Sequence, residues 1–262
     1  MIIDIHTHAW PEKVSRKARE NLESAFKVKL VGDPTVTTLL KHMDKNGVSK
    51  SAVCAVASRP DQVLSINDWV FSIRGKRLAV FASMHPDYRG WRKELKRISA
   101  RADGIKFQPE FQDFYVDDKK AFPIYEEAQR LKIPLLFHCG MELSGTMLVR
   151  SSPSRMAKLI RAFPKLKIIA GHFGGFLLWD EVEKHLLGKD IYMDTAFFLG
   201  QLPVSRVRAM FANHPKDRIL FGTDFPLVDQ KKDIDALKKL KLSKDLTERI
   251  LYRNAEALLD NS

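Results

Sequence analysis

The sequence predicts an α/β fold, a single (β/α)8 barrel of the TIM type with an extra C-terminal helix. Three observations carry this reading. Eight short β-branched or apolar runs alternate with helix-period segments along the whole chain. The length, 262 residues, suits one such barrel, which takes about 250. Polar residues gather at the C-terminal edges of the runs, where barrels of this kind keep their chemistry.

The elements follow in order. The run at 2–6 precedes a long connection, 9–35, and a helix over 36–45 that Gly47 ends. Run 51–57 leads to a helix over 62–74 with Asp61 as a candidate cap, and run 78–83 to a helix over 89–101. Run 104–107 is followed by connection 109–119 and a helix over 120–131, which Pro134 stops. Run 135–138 is followed by connection 139–153 and a helix over 154–163, opened by Ser154 and stopped by Pro164. The last three pairs are 167–171 with 177–187, 191–195 with 204–213, and 218–222 with 231–240. A final segment, 244–259, places Leu246, Ile250, Leu251 and Leu258 at helical period and is expected across the barrel's outer wall. The long connections after strands 1, 4 and 5 are expected to build the active-site face.

No linker or internal repeat divides the chain, so one domain, 1–262, is expected. An apolar fraction of 45% and a charged fraction of 29% exclude a disordered or fibrous protein. No apolar run approaches the ~18 residues of a membrane span, and the N-terminus lacks the basic and small-residue marks of a signal peptide. A cytoplasmic protein is the expectation. Cys54 and Cys139 lie in separate apolar runs and read as buried reduced thiols. The net charge of +12 sits largely on amphipathic stretches such as 91–97 and reads mainly as a solvated basic surface. An anionic small-molecule substrate is the second reading, and nucleic acid is disfavoured. A homo-oligomer stays open.

His6 and His8 are two apart in an extended segment, so both imidazoles face one way, into the barrel mouth. His138 ends the fifth run, where its bland role is a core histidine bonded to a backbone carbonyl. Asp224 follows the eighth, where it could simply cap a helix before Pro226. Together they bring three nitrogens and a carboxylate to one mouth, a donor set suited to one catalytic Zn2+ or another divalent ion. His172, bracketed by Gly171 and Gly174, is the candidate general acid/base. Lys106 in strand 4, with Arg150 or Arg155, could hold an anionic group. His85 adds a polar group after strand 3. Trp10, Phe107, Phe111, Phe114 and Phe176 suggest an apolar wall, with Trp10, Phe107, Lys106 and His85 as candidate substrate contacts. The nucleobase-deaminase pattern, the Gly-x-Ser-x-Gly elbow and the Walker loop are all missing from the sequence.

Five motifs together resemble the amidohydrolase superfamily. They are Ile3-Asp-Ile-His-Thr-His, Gly104-Ile-Lys-Phe-Gln-Pro, Pro134-Leu-Leu-Phe-His-Cys-Gly, Gly171-His-Phe-Gly-Gly and Leu220-Phe-Gly-Thr-Asp-Phe-Pro. The resemblance is to the amidohydrolase-related group that includes aminocarboxymuconate-semialdehyde decarboxylase, and it runs nearly the whole length. It implies His6, His8, His138 and Asp224 as metal ligands and His172 as the acid/base. It also implies one metal, although other branches carboxylate a strand-4 lysine to bridge two. Lys106 is read here as neutralising a carboxylate or holding an anionic substrate.

The expected activity is metal-dependent hydrolysis of an amide, ester or lactone by an activated water, with Asp224 accepting its proton. The alternative is a non-oxidative decarboxylase of a small carboxylated, possibly aromatic substrate. A TatD-like DNase is weakened by Lys106, which stands where that branch resembles a Glu-bearing metal site. A catalytically silent barrel would be expected to have lost a ligand, and all four are present.

Overall fold

The structure, a computed structural model, describes residues 1–144 and 148–260. Eight parallel strands pair in sequential order: β1 Ile3–Thr7, β2 Lys50–Cys54, β3 Leu78–Ser83, β4 Gly104–Phe107, β5 Leu135–Phe137, β6 Ile168–Ala170, β7 Tyr192–Asp194 and β8 Ile219–Leu220. The ends meet where Ile5 N donates to Phe221 O at 2.9 Å and His8 N to Phe225 O at 2.7 Å. This closes the TIM barrel. The described helices are α1 Glu12–Phe26, α2 Val36–Asn46, α3 Val63–Ser72, α4 Trp91–Arg101, α5 Pro109–Gln112, α6 Phe122–Arg130, α7 Pro153–Ala162, α8 Trp179–His185, α9 Val204–Ala212, α10 Gln230–Lys239, α11 Lys244–Glu248 and α12 Asn254–Asp260.

Side-chain alternation splits the core into two layers. Val53, Val80, Ile105, Leu135, Phe137 and Ile168 face outward against the helices. Ile3, Ile5, Ala52, Cys54, Ala79, Phe81, Leu136, Ile169 and Leu220 fill the barrel, which is therefore a packed core beneath the mouth. Both cysteines are free and buried. Gly47 ends α2 in the left-handed conformation at φ 70°, as its sequence position predicts. Ser152 rather than Ser154 caps α7, with Pro153 in its first turn, and Asp61 lies inside a 3-10 turn.

Two elements depart from expectation. The connection at 9–35 contains α1, fifteen residues long. The C-terminal segment does more than cross the outer wall. Ala255, Leu258 and Leu259 of α12 join the interior cluster and plug the barrel floor. Asn254 Nδ2 fastens that plug by donating to Lys216 O and Ile219 O.

No described helix is long and apolar enough to cross a membrane. Much of the basic charge is spent outside, in pairs such as Arg74 with Asp103 and Arg206 with Glu183. Such exposed pairs add little stability.

Candidate metal centre and pocket

The two site histidines owe their direction to an irregularity in β1. Asp4 pairs with Ser51 and Thr7 with Val53, so three steps on β1 match two on β2. This bulge lets Ile3 and Ile5 face the packed interior while His6 and His8 turn into the mouth. Asp4 faces out, between the strands and α10, and holds the irregularity. Its Oδ1 accepts from His6 N (3.3 Å) and Thr223 N (3.1 Å), and its Oδ2 from Thr223 Oγ1 (2.7 Å) and Gln230 Nε2 (2.8 Å). Burial pushes the Asp4 carboxyl up to about 7, against the pull of these hydrogen bonds.

His6 Nδ1 stands 2.9 Å from Asp194 Oδ2, and His8 Nδ1 2.9 Å from the carbonyl of Cys54. A carbonyl or carboxylate oxygen can only accept, so both Nδ1 atoms carry the hydrogen and both Nε2 lone pairs are left facing Asp224 Oδ1. The separations are 3.6 Å for His6 and 3.0 Å for His8. Three electron-rich atoms converging in a buried place are what a cation resolves, and the carboxylate behind His6 is the usual support of a ligating imidazole. On that ground the residues fit a divalent metal. Lys106, wholly buried, donates from Nζ to His6 Nε2 at 2.9 Å and so takes the lone pair that a metal would use, which requires the ammonium to turn aside when the metal binds. Burial and the charge of Lys106 hold His6 well below its ordinary pKa. Burial opposes the charge of Asp224, but where no metal is bound a proton on His8 Nε2 donates to it, and that hydrogen bond with the surrounding imidazoles holds the carboxyl well below the usual carboxylate range. Gly171 makes room, since a Cβ there would come within 2.8 Å of Phe137 O and 3.4 Å of the His6 ring.

His172 and His138 form a second group. His172 has a left-handed backbone (φ 56°), as does Asp224 (φ 65°), a cost of the kind that clusters at functional sites. His172 N donates to Asp194 Oδ1, and its Nδ1 donates to Ala196 O at 3.1 Å. Its Nε2 lies 2.9 Å from His138 Nδ1, and His138 Nε2 lies 3.2 Å from Met141 O and 3.3 Å from Glu142 Oε1. With a carbonyl accepting at each end of the pair, the two facing nitrogens are both bare when the rings are neutral, an arrangement that a cation or a shared proton relieves. Burial pushes the Glu142 carboxyl up to about 7 although Gln108 Nε2 donates to it at 2.6 Å. Burial also lowers both histidines, His172 well below its ordinary value.

The sequence-predicted residues thus separate. His6, His8 and Asp224 come together, their donor atoms within 4.8 Å of one another. His138 stands beside them, against His172, Glu142 and Glu110. Trp10, with Phe111 and Phe176, lines the cavity of about 340 Å³ over the cluster. Phe107 does not. Adjacent residues of a strand face opposite ways, so an inward Lys106 sends Phe107 out, where it packs on Phe114, Tyr125 and Phe137. His85 is also outside the cavity wall, its Nδ1 accepting from Asp87 N at 3.1 Å. Arg150 and Arg155 turn to Asp113 and Asp117, and Lys106 lies beneath the cavity against His6. Sequence reasoning missed Asp194, Glu142 and Gln108. Asp194 ends the β7 run at the edge that marked the other site residues, so its signal was present. Glu142 and Gln108 lie in connecting segments with no periodic signal.

A family profile described as amidohydrolase matches residues 3–260. The chain belongs to the amidohydrolase family. This family member is 25% identical over 119 residues to a decarboxylase, orsB, of Emericella nidulans, a match covering 37% of the chain and 35% of that relative. The chain thus spans about a third of the length of the curated relative it matches. Among solved structures it resembles 2,6-dihydroxybenzoate decarboxylase from Rhizobium, with a TM-score of 0.74, 17% identity and 99% and 98% of the two chains covered. It also resembles dihydroxybenzoic acid decarboxylase from Polaromonas sp. JS666, solved with bound manganese, with a TM-score of 0.73, 16% identity and 99% and 96% covered. The structural likenesses show the fold, and the profile match over nearly the whole chain shows the family.

Proposed function

We propose that this amidohydrolase-family enzyme is a non-oxidative decarboxylase of a small aromatic carboxylate, working with one divalent metal. The observation that carries the reading is the polarity of the cavity. One pole gathers His6, His8, His172 and Asp224 above Lys106, and the walls are aromatic, with Trp10, Phe111, Phe176 and Phe197. Such a cavity seats a ring with its carboxylate at the polar end. The relatives named as decarboxylases support the lyase, the alternative reading of the sequence, over the hydrolase that stood first.

His6, His8 and Asp224 would hold the metal, with His138 joining them by its motif. Zinc suits the donor set, and the manganese of the Polaromonas enzyme supports that ion equally. Bound there, the ion would supply a Lewis acid that orients the substrate's carboxylate. Lys106 adds positive charge below it. The bond from the ring carbon to the carboxylate breaks, carbon dioxide leaves, and the electron pair stays on the ring carbon, which would take a proton drawn from solvent and relayed by His172 or Asp224. The apolar walls exclude water.

The test is carbon dioxide release from a panel of hydroxybenzoates by the metal-loaded protein. His172→Asn is expected to keep its metal and melting temperature while losing about 10²- to 10⁴-fold in rate. Turnover of amides, esters or lactones without carbon dioxide release would restore the hydrolase. Unchanged decarboxylation in His172→Asn would remove that residue from the mechanism.

A further inference from the structure

The apolar face of α1 is not used by the barrel core. Ala18, Leu22 and Phe26 recur every fourth residue, share one side of the helix, and line the cavity. Of the whole helix only Phe26 is buried. Phe111, Leu143 and Leu227 face the same space, and the rings of Phe26 and Phe111 stack with centroids 6.4 Å apart. The polar side chains on the wall away from the histidines include the uncharged Asn21 and Ser58.

The charges of this cavity are equally selective. Among the described residues no lysine or arginine lines it. Arg19 on α1 is turned to Glu23 and Asp33, and Arg150 and Arg155 are held by Asp113 and Asp117. Glu142 lines the wall and offers a second anion a carboxyl group rather than a cation. A carboxylate anywhere but over the histidine cluster would be desolvated without a cationic partner, which is costly.

We propose that the α1 face is a substrate subsite that takes an uncharged apolar substituent, so that this enzyme selects aromatic monocarboxylates carrying an alkyl or similar group and rejects dicarboxylates. The proposal rests on the decarboxylase reading for the carboxylate's place at the polar end, and the subsite can be measured without turnover.

The experiment is calorimetric titration of the metal-loaded protein with 2-hydroxybenzoate, with its methyl-, propyl- and pentyl-substituted congeners, and with a hydroxybenzoate bearing a second carboxylate. Affinity is expected to rise roughly threefold to fourfold for each buried methylene until the subsite is full. The dicarboxylate should bind at least about tenfold more weakly than the propyl compound. Leu22→Arg, at a half-buried position, should erase the alkyl preference and improve dicarboxylate binding. Ala18→Arg gives the same reading if the first variant does not fold. A wild-type protein that binds the dicarboxylate as tightly as the alkyl series, or an arginine variant with unchanged preference, overturns the proposal. Graded alkyl affinity without carbon dioxide release would leave the subsite standing and remove the decarboxylase. Carbon dioxide released equally well from all five compounds, with equal affinities, would do the reverse.

Discussion

Glu142, only 5% exposed, shows how burial sets a protonation state that local sequence does not announce. Its folded-state pKa of about 7 lies above the ordinary 4.5. The unfolded chain therefore loses this proton first as pH rises. Stability should fall between about pH 4.5 and 7 and level off above, with a contribution on the order of 3 kcal/mol from this group. In metal-free protein the slope of melting temperature against pH between about 5 and 7 should be more positive for Glu142→Gln than for the wild type. The comparison between the two proteins is what counts, because burial raises Asp4 and Asp194 in the same direction as Glu142 while the lowered His6, His138 and His172 add stability as pH rises. Equal slopes in the two proteins would show that Glu142 ionises freely. Glu142 and Gln108 have no legible sequence signal because a chain-distant contact creates their environment. Phe107 is different: once Lys106 is taken as inward, strand alternation sends its neighbour outward.

The bulge in β1 makes Asp4 answerable for the aim of His6 and for the approach of β8 beside Asp224. An amide at position 4 would put donor hydrogens against the donors that the carboxylate now receives. Asp4→Asn is expected to fold with reduced stability and to bind metal about 10- to 100-fold more weakly in competition with a chelator. Wild-type affinity would show that the irregularity holds itself. The alternation of runs and helices was legible because each strand and helix repeats its own period. Helix α1 was not read, although Val14, Ala18, Leu22 and Phe26 mark one stripe, because charged residues crowd between them and the stripe serves a cavity rather than the core. The role of α12 was hidden for a related reason: helical period shows that a face is apolar, and not which end of the barrel it covers.

At the scale of the molecule, the buried His6, His8 and Asp224 cluster should couple metal binding to stability. A ligand bound only by the folded state adds about 2.7 kcal/mol at one hundred times its dissociation constant. Melting temperature should rise with zinc or manganese, fall with chelator, and saturate near one equivalent of metal per chain by elemental analysis. Two equivalents would bring the Glu110, His138 and Glu142 group into account as a second site. No shift with metal would contradict the ligand assignment. Family and site were legible at this scale because five strand-end motifs occur in barrel order, whereas substrate preference was not, since the cavity wall is assembled from several separate connections.

Closure of the barrel also bears on how the chain is made. Asp4 meets Thr223 across a separation of 219 residues, and α12 plugs the floor still later. At roughly 5–20 residues per second, a ribosome leaves β1 waiting about 10 to 40 s for its second neighbour. During that time the strand that carries both histidines has an unpaired edge, open to a chaperone or to another nascent chain. Ribosome-stalled chains ending before β8 should be cut by protease near β1, and released full-length chains should resist. Protection of the shorter chains would mean that β1 finds shelter before the barrel closes.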